Sequence, residues 1–257
     1  MRLKSVGIIG YGSFGHLAER LFKRFVPRVE VRIFSSHKNP NGRNFFSLEH
    51  ACASDAVILA VPIHAFEPML KRILPLTRPD TVIVDIATVK LYTTGLLARY
   101  AKKRRYLATH PMFGPESYEK SGENVRGFRI VVTKHTLSQT DYADVVSLLR
   151  ALGFDVVETT PKKHDRHLAE TLFLTHFIGQ TIDRAGFTRT DIDTVSFRFL
   201  MDAVESVKND RELFEDVFRY DPYCEITLAK LERAESGTHA LLRKSIRRHL
   251  RNAEQKS

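Results

Sequence analysis

Along roughly its first 155 residues the chain alternates short, β-branched apolar runs with stretches whose apolar residues return at helical spacing. The strand-like runs are Ser5 to Ile9, Val29 to Phe34, Ala56 to Val61, Thr81 to Ile86, Tyr106 to His110, Phe128 to Thr133 and Phe154 to Val157. Helices are expected to start near Ser13, at about Ser47, after His64, and near Val89 and Ser138. Such alternation is the pattern of βαβ units and predicts a parallel sheet. Beyond Thr160 no strand-like run recurs, and apolar residues keep helical spacing through to Leu250, which predicts a helical second domain. Thr160-Pro161 is a start signal for its first helix, an N-cap residue followed by proline at the first helical position. The break falls at residues 157–160, dividing the chain into 1–158 and 159–257. No internal repeat or low-complexity linker is visible, and the basic end from Asn252 to Ser257 is expected to fray.

Composition adds limits. The 257 residues carry 40 Lys+Arg against 30 Asp+Glu, a formal charge of +10 that favours anionic ligands. The excess is split between Lys102-Lys103-Arg104-Arg105, Lys162-Lys163 and the tail from Arg243 to Arg251, so solvated surface is a better reading than a nucleic-acid groove. Only Cys52 and Cys224 are present, without metal-ligand spacing, so neither a disulfide framework nor a metal site is indicated. No signal-peptide pattern precedes the first strand, no plastid-targeting segment is seen, and no apolar run approaches the roughly 18 residues of a membrane span. A cytoplasmic protein, without membrane partner, is expected.

Gly10-Tyr11-Gly12-Ser13-Phe14-Gly15 follows an apolar strand and opens an amphipathic helix, with Phe14, Leu17, Ala18, Leu21, Phe22 and Phe25 on one face. That context turns a weak glycine pattern into a dinucleotide-binding fingerprint of Rossmann type. Gly10 is read as the tight turn, Gly12 as the point where backbone approaches a pyrophosphate, and Gly15 as the close helix–strand contact. Amides at the helix start, around Ser13 and Phe14, would meet the phosphates. An acidic ribose ligand should stand about 20 residues further on. Ser35 occupies that place, and Ser35, Ser36 and Lys38 offer hydroxyls and a cation suited to a 2′-phosphate, so NADP is expected over NAD.

Three more segments end strands at the same edge. Val61-Pro62 stops the third, Asp85-Ile86-Ala87-Thr88-Val89-Lys90 follows the fourth, and His110 closes the fifth before a turn-rich Pro111-Met112-Phe113-Gly114-Pro115. Ligands of open α/β sheets bind beyond these carboxyl ends. A dehydrogenase needs a proton acceptor beside its hydride acceptor, and imidazole has the suitable unperturbed pKa, which singles out His110. His164 to His176 reads as one helix, with Asp165, Leu172 and His176 on one face.

Together these runs resemble the prephenate/arogenate dehydrogenase family of tyrosine biosynthesis, the plant arogenate dehydrogenases in particular. The resemblance rests on the glycine turn, Asp85 to Lys90, Thr109-His110-Pro111-Met112-Phe113-Gly114-Pro115-Glu116-Ser117, and His164-Asp165-Arg166-His167 with Thr175-His176, spanning residues 5 to about 180. It implies an α/β fold with an N-terminal Rossmann-type dinucleotide-binding domain and a C-terminal all-helical domain that forms a homodimer and completes the active site. It implies loss of hydride from a cyclohexadienol to the nicotinamide, departure of the ring carboxylate as CO2, and aromatisation. Within it His110 is the base, Thr88 stands where many members have serine near nicotinamide and substrate hydroxyl, and His176 lies near the substrate side chain.

Two positions depart from the family pattern. Glu205 stands where many members place an arginine for a substrate carboxylate, so Glu205 is expected to meet the ammonium that arogenate has and prephenate lacks; Arg198, Lys208 and Arg211 are the nearby cations. Tyr118 stands where plant sequences have glycine, an aromatic ring expected beside the site. Other readings are an enzyme acting on a modified cyclohexadienyl substrate, a related β-hydroxyacid or imine reductase, and a non-catalytic NADP-binding regulator.

Overall fold

A computed structural model describes residues 3–254, with side chains described through His249. Five strands, β1 (Ser5–Ile9), β2 (Glu30–Phe34), β3 (Ala56–Leu59), β4 (Val82–Asp85) and β5 (Arg105–Pro111), run parallel. They are joined by α1 (Ser13–Phe25), α2 (Leu48–Cys52), α3 (Ile63–Ile73) and α4 (Lys90–Tyr100). The sheet order β2-β1-β3-β4-β5-β6-β7 sends the chain to one side of β1 and then back to the other. The crevice therefore opens between β1 and β3, where the connections diverge.

The last two strands correct the expectation of an all-parallel sheet. After β5 the chain forms only α5 (Pro115–Lys120), six residues long, before β6 (Arg129–His135). Such a helix is about 9 Å long and does not return the chain along the sheet, so β6 runs antiparallel to β5, pairing His110 with Val131 and Pro111 with Ile130. A full crossover, α6 (Gln139–Ala151), then sets β7 (Asp155–Glu158) parallel to β6. The observed limits also differ by a few residues from those read in sequence: β3 stops at Leu59 and β5 continues to Pro111.

Thr160 caps α7 (Pro161–Leu168) by accepting the Lys163 amide, as its sequence position suggests. The predicted single helix from His164 to His176 contains a π turn, Ala169–Phe173, and continues as α8 (Leu174–Arg184). Then come α9 (Val195–Val207), α10 (Arg211–Tyr220) and α11 (Tyr223–Glu254). Of the end expected to fray, residues 252–254 belong to α11, and 255–257 lie outside the described residues. No described helix is long and apolar enough to cross a membrane.

One face of the sheet is buried by a core shared between both parts of the chain. Ile9, Leu59, Phe66, Ile83 and Ala108 form a continuous cluster with Leu168, Ala169, Phe173 and Val217 of the helical part. On the opposite face α1 and α6 cover Val6, Ile58, Val82 and Leu107. Tyr118 belongs to the packing here: it is almost wholly buried with Leu17, Phe113 and Phe154, and the Arg20 guanidinium lies over its ring. The expectation of an aromatic ring projecting beside the site is thereby corrected.

An ion pair fixes the centre of the sheet. Lys90, the first residue of α4, is fully buried, and its Nζ donates to Asp85 Oδ2 at 2.6 Å and to the Thr109 carbonyl at 2.7 Å. Thr93 and the Ala87 amide also donate to Asp85. Burial pulls the Lys90 ammonium pKa down, while Asp85 and then Asp165 hold it up. Removing one partner of such a pair strands the other, so Lys90→Met is expected to cost about 3–5 kcal/mol in urea denaturation. The exposed pair Lys71–Glu67, broken by Lys71→Met, should change stability by no more than about 1 kcal/mol.

Candidate active site

His110 is buried at the carboxyl end of β5. Its Nδ1 lies 3.0 Å from His164 Nε2, and His164 Nδ1 lies 2.7 Å from Asp165 Oδ1. A carboxylate only accepts, so His164 Nδ1 carries a proton and donates it to Asp165. His164 Nε2 is then an acceptor, and His110 Nδ1–H donates to it. The remaining nitrogen, His110 Nε2, is left with a lone pair. This three-residue chain fixes the tautomer that a general base requires.

Asp165 is itself fixed from the other part of the molecule. Its Oδ1 accepts the Lys90 amide at 2.8 Å and its Oδ2 the Leu91 amide at 2.7 Å. These are amides at the start of α4, whose own N-cap residue, Val89, provides no side-chain cap. The carboxylate thus satisfies orphan donors and sits favourably at the positive end of the helix dipole. Asp216 of α10 does the same for α3, accepting the His64 amide at 3.1 Å and facing the His64 ring at 2.8 Å. Pro62, the N-cap of α3, provides no cap of its own.

Burial drives the His110 pKa well below the ordinary imidazole value, and neighbouring His164 and the Lys90 cation push the same way. The ring is neutral at pH 7. His176, on α8, is also shifted down by burial, with Asp210 acting in the opposite sense. In the unfolded chain both would take up a proton near pH 6.5. The unfolded state therefore binds more protons below that pH, and folding stability falls as pH drops through it.

The glycine turn is shaped for a dinucleotide. Gly10 has φ +104°, and a Cβ there would stand 2.2 Å from the Ala60 carbonyl oxygen. A Cβ on Gly15 would stand 2.3 Å from the Gly10 oxygen, which enforces the close approach of α1 to the turn. Gly12 differs: nothing lies within 4 Å of its absent Cβ, leaving open space over the start of α1, where Ser13 and Phe14 present their amides. A pyrophosphate fits that place. Val61 packs against Gly10 and Pro62 is exposed at the head of α3, so both flank the crevice. The Gly10 amide donates to the Phe34 carbonyl at 2.9 Å, which sets Ser35 beside the turn. Ser35 Oγ accepts the His37 amide, and Ser36 and Lys38 are exposed beyond it.

Thr88 is half-buried between β4 and α4. His176 is buried, its ring parallel to Phe214 at 6.3 Å, with Nδ1 lacking any hydrogen-bond partner. The substrate ligands expected on α9 are placed differently. Glu205 is exposed and its carboxylate accepts Arg189 Nε at 2.8 Å; Arg189 also bonds Asp202. Glu205 thus shares one guanidinium with Asp202 on the exposed side of α9. Arg198 is exposed on the first half of α9. Among the described residues the hydrogen bonds and ion pairs of Glu205 run to Arg189, away from His110, Thr88 and His176. His164, Asp165, Asp85 and Lys90 were not singled out as site residues in sequence, although all four lie inside the runs that carry the family resemblance. No group of His, Cys, Asp and Glu suited to a metal exists among the described residues.

A glycine turn at the head of a doubly wound sheet, with an imidazole at a strand end oriented by a helical second domain, defines a dinucleotide-binding dehydrogenase architecture. Residues 43–152 match the family described as prephenate dehydrogenase, nucleotide-binding domain. Arogenate dehydrogenase 2, chloroplastic, of Arabidopsis thaliana is 28% identical over 243 residues, covering 89% of this chain and 67% of that protein. Arogenate dehydrogenase 1, chloroplastic, of the same plant is 29% identical over 257 residues, covering 92% of this chain and 38% of that one. These similarities are to the prephenate/arogenate dehydrogenase family, at residues 43–152 for the family model and over most of the chain for the two plant proteins. In fold the chain is similar to prephenate dehydrogenase from A. aeolicus, crystallised with hydroxyphenyl propionate and NAD+, at a TM-score of 0.71 and 16% identity, covering 95% of this chain and 93% of that one.

The different surroundings of two glycines give a paired test. Gly15→Ala meets backbone and should lower stability by about 1–3 kcal/mol in thermal melts. Gly12→Ala meets open space and should leave the melting temperature within about 2 °C, a shift of well under 1 kcal/mol, while weakening dinucleotide binding by calorimetry.

Proposed function

We propose that the protein is an NADP-dependent arogenate/prephenate dehydrogenase that oxidatively decarboxylates a cyclohexadienol to a phenol. The observation that carries this is the His110 Nε2 lone pair, fixed by His164 and Asp165 at the edge where the glycine turn opens. Bound dinucleotide would supply the hydride acceptor. His110 takes the proton of the substrate hydroxyl as the carbinol C–H is lost, and holds it while the ring carboxylate leaves as CO2. The electron pair of that bond aromatises the ring, and the proton returns to the resulting phenolate oxygen. Thr88 is the hydroxyl placed to orient the substrate oxygen, and His176 bounds the substrate side chain. His164 and Asp165 are positioning residues, since they act through His110.

Similarity to the plant arogenate dehydrogenases supports the reaction, and the NAD+ named with the A. aeolicus enzyme supports a nicotinamide dinucleotide. The 2′-phosphate form is favoured by the loop after β2, where residues 35–45 contain no carboxylate and Ser35, Ser36 and Lys38 supply hydroxyls and a cation. A homodimer is favoured by apolar side chains left in water on the helical part: Ile192 is 90% exposed, Phe199 69%, Leu241 70% and Ile246 61%.

The test is NADP reduction by the purified protein with arogenate and prephenate separately, each repeated with NAD. Turnover with NADP is expected; dinucleotide binding without turnover of either substrate would overturn the reading. His110→Gln should lower kcat by about 10² to 10⁴-fold with unaltered NADP affinity. Because the His110 pKa is depressed, the acid limb of the kcat/KM profile should fall below pH 6.5, the unperturbed value. His164→Gln should lower kcat and move that limb, which a merely structural loss would not do.

A further inference from the structure

Asp165 is the anion behind the His164–His110 chain, and a second carboxyl group stands behind it. Asp221 follows the last residue of α10 and is 1% exposed. The backbone holds it from both sides: its amide donates to the Val217 carbonyl at 2.9 Å, and its carbonyl accepts the Cys224 amide at 3.2 Å. Oδ1 accepts the Tyr223 amide at 2.9 Å, whereas Oδ2 is buried without a hydrogen-bond partner. The surroundings are apolar, since Val217 and Cys224 belong to the cluster that contains Leu168, Ala169 and Phe173. Charge on an unsatisfied oxygen is costly in such a place.

The groups around the two carboxyls put them in different states. Asp165, on α7, accepts the Lys90 and Leu91 amides and the His164 ring proton, and the Lys90 ammonium feels its charge. Asp221 accepts one amide and faces the Asp165 charge itself. On α11 the Cys224 thiol, pushed up by burial and by both carboxyls, stays protonated and donates to the Val217 carbonyl at 3.7 Å. On α4, Tyr92 packs at 4.4 Å against Tyr220, the neighbour of Asp221, and Glu67 and Lys71 of α3, which act on Tyr92, pair with each other. In the π turn Glu170 pairs with Lys230 of α11. Burial raises the Asp221 pKa to about 7, with the Tyr223 amide opposing the rise and Asp165 adding to it.

We propose that Asp221 is a positioning residue of the proton relay, a carboxyl group neutral at rest whose release of a proton to solvent puts a second negative charge behind Asp165 and makes His110 a stronger base. The inference rests on the proposed dehydrogenase reaction, in which His110 becomes a cation as it takes the substrate proton. Negative charge behind the relay favours that cation, and between buried groups salt screens the effect little. Asp221 acts only through Asp165 and His164.

Asp221→Asn fixes the neutral form and keeps an oxygen for the Tyr223 amide. With 15N-labelled histidine, the ring signals of His164 and His110 in the intact protein are expected to shift with a midpoint at about pH 7, and to lack that midpoint in the variant. With NADP and whichever of arogenate and prephenate is turned over, kcat/KM of the parent should rise about threefold more than that of the variant from about pH 6 to 8, the two coinciding at lower pH. Thermal melts read the same proton independently. Unfolded Asp221 ionises at about pH 4, so the folded parent holds the extra proton to about pH 7 and loses stability as pH rises across that interval. From about pH 5 to 8 its melting temperature should fall by about 5 °C relative to the variant. Histidine signals that move alike in both proteins would overturn the proposal, as would pH profiles differing only by a constant factor. If the variant does not fold, the parent's histidine signals decide alone, and no midpoint near neutrality overturns it. A parent protein that turns over neither substrate would overturn the dehydrogenase reading instead, with the histidine signals still deciding the role of Asp221.

Discussion

The carboxylate of Asp165 is the point on which the arrangement depends. It accepts from Lys90, Leu91 and His164, so one side chain of the helical part caps the first turn of α4 and orients the imidazole that meets His110. Neither role is separable. Were the carboxylate to leave α4, buried amides would lose their partner, and His164 would be free to adopt the other tautomer. Asp216 repeats the device at α3, so two helices of the nucleotide-binding part start on carboxylates they do not own. The shared apolar cluster from Ile9 to Phe173 and Val217 supplies the bulk of the adhesion, and the carboxylates supply its register.

A second constraint acts from below. Lys90 brings a positive charge into the sheet next to β5, neutralised by Asp85 and coordinated by the Thr109 carbonyl. That cation adds to burial in keeping His110 unprotonated. The charge state of His110 is therefore set by burial, by His164 and by a cation inside the sheet, and its hydrogen bonding by groups in the helices. Both sets of groups are buried.

Much of this was readable in the chain and some was not, for identifiable reasons. β1, the glycine turn and α1 were legible because alternation, glycine spacing and a 3.6-residue apolar stripe coincide within 25 residues. The reversal of β6 was not, because alternation reports which face a strand buries and carries no sign of its direction. His110 was legible as a strand-end imidazole, but His164 lies 54 residues away, and only the fold shows that the two rings meet. Reading Asp165, Leu172 and His176 as one regular helix passed over the π turn at Ala169–Phe173. Glu205 illustrates a harder case: its position was counted from a motif, whereas its partner, Arg189, comes from the loop between α8 and α9.

The borrowed carboxylates also bear on how this chain can be taken apart. A nucleotide-binding half transplanted onto another helical half would keep its turn of glycines and its open phosphate cradle. It would lose the caps on two helix starts and the partner of His110, since both are encoded after Thr160. The visible boundary between β7 and α7 is a seam in topology without being a seam in chemistry. Recombination at that seam therefore separates His110 from the two residues, His164 and Asp165, that set its hydrogen bonding.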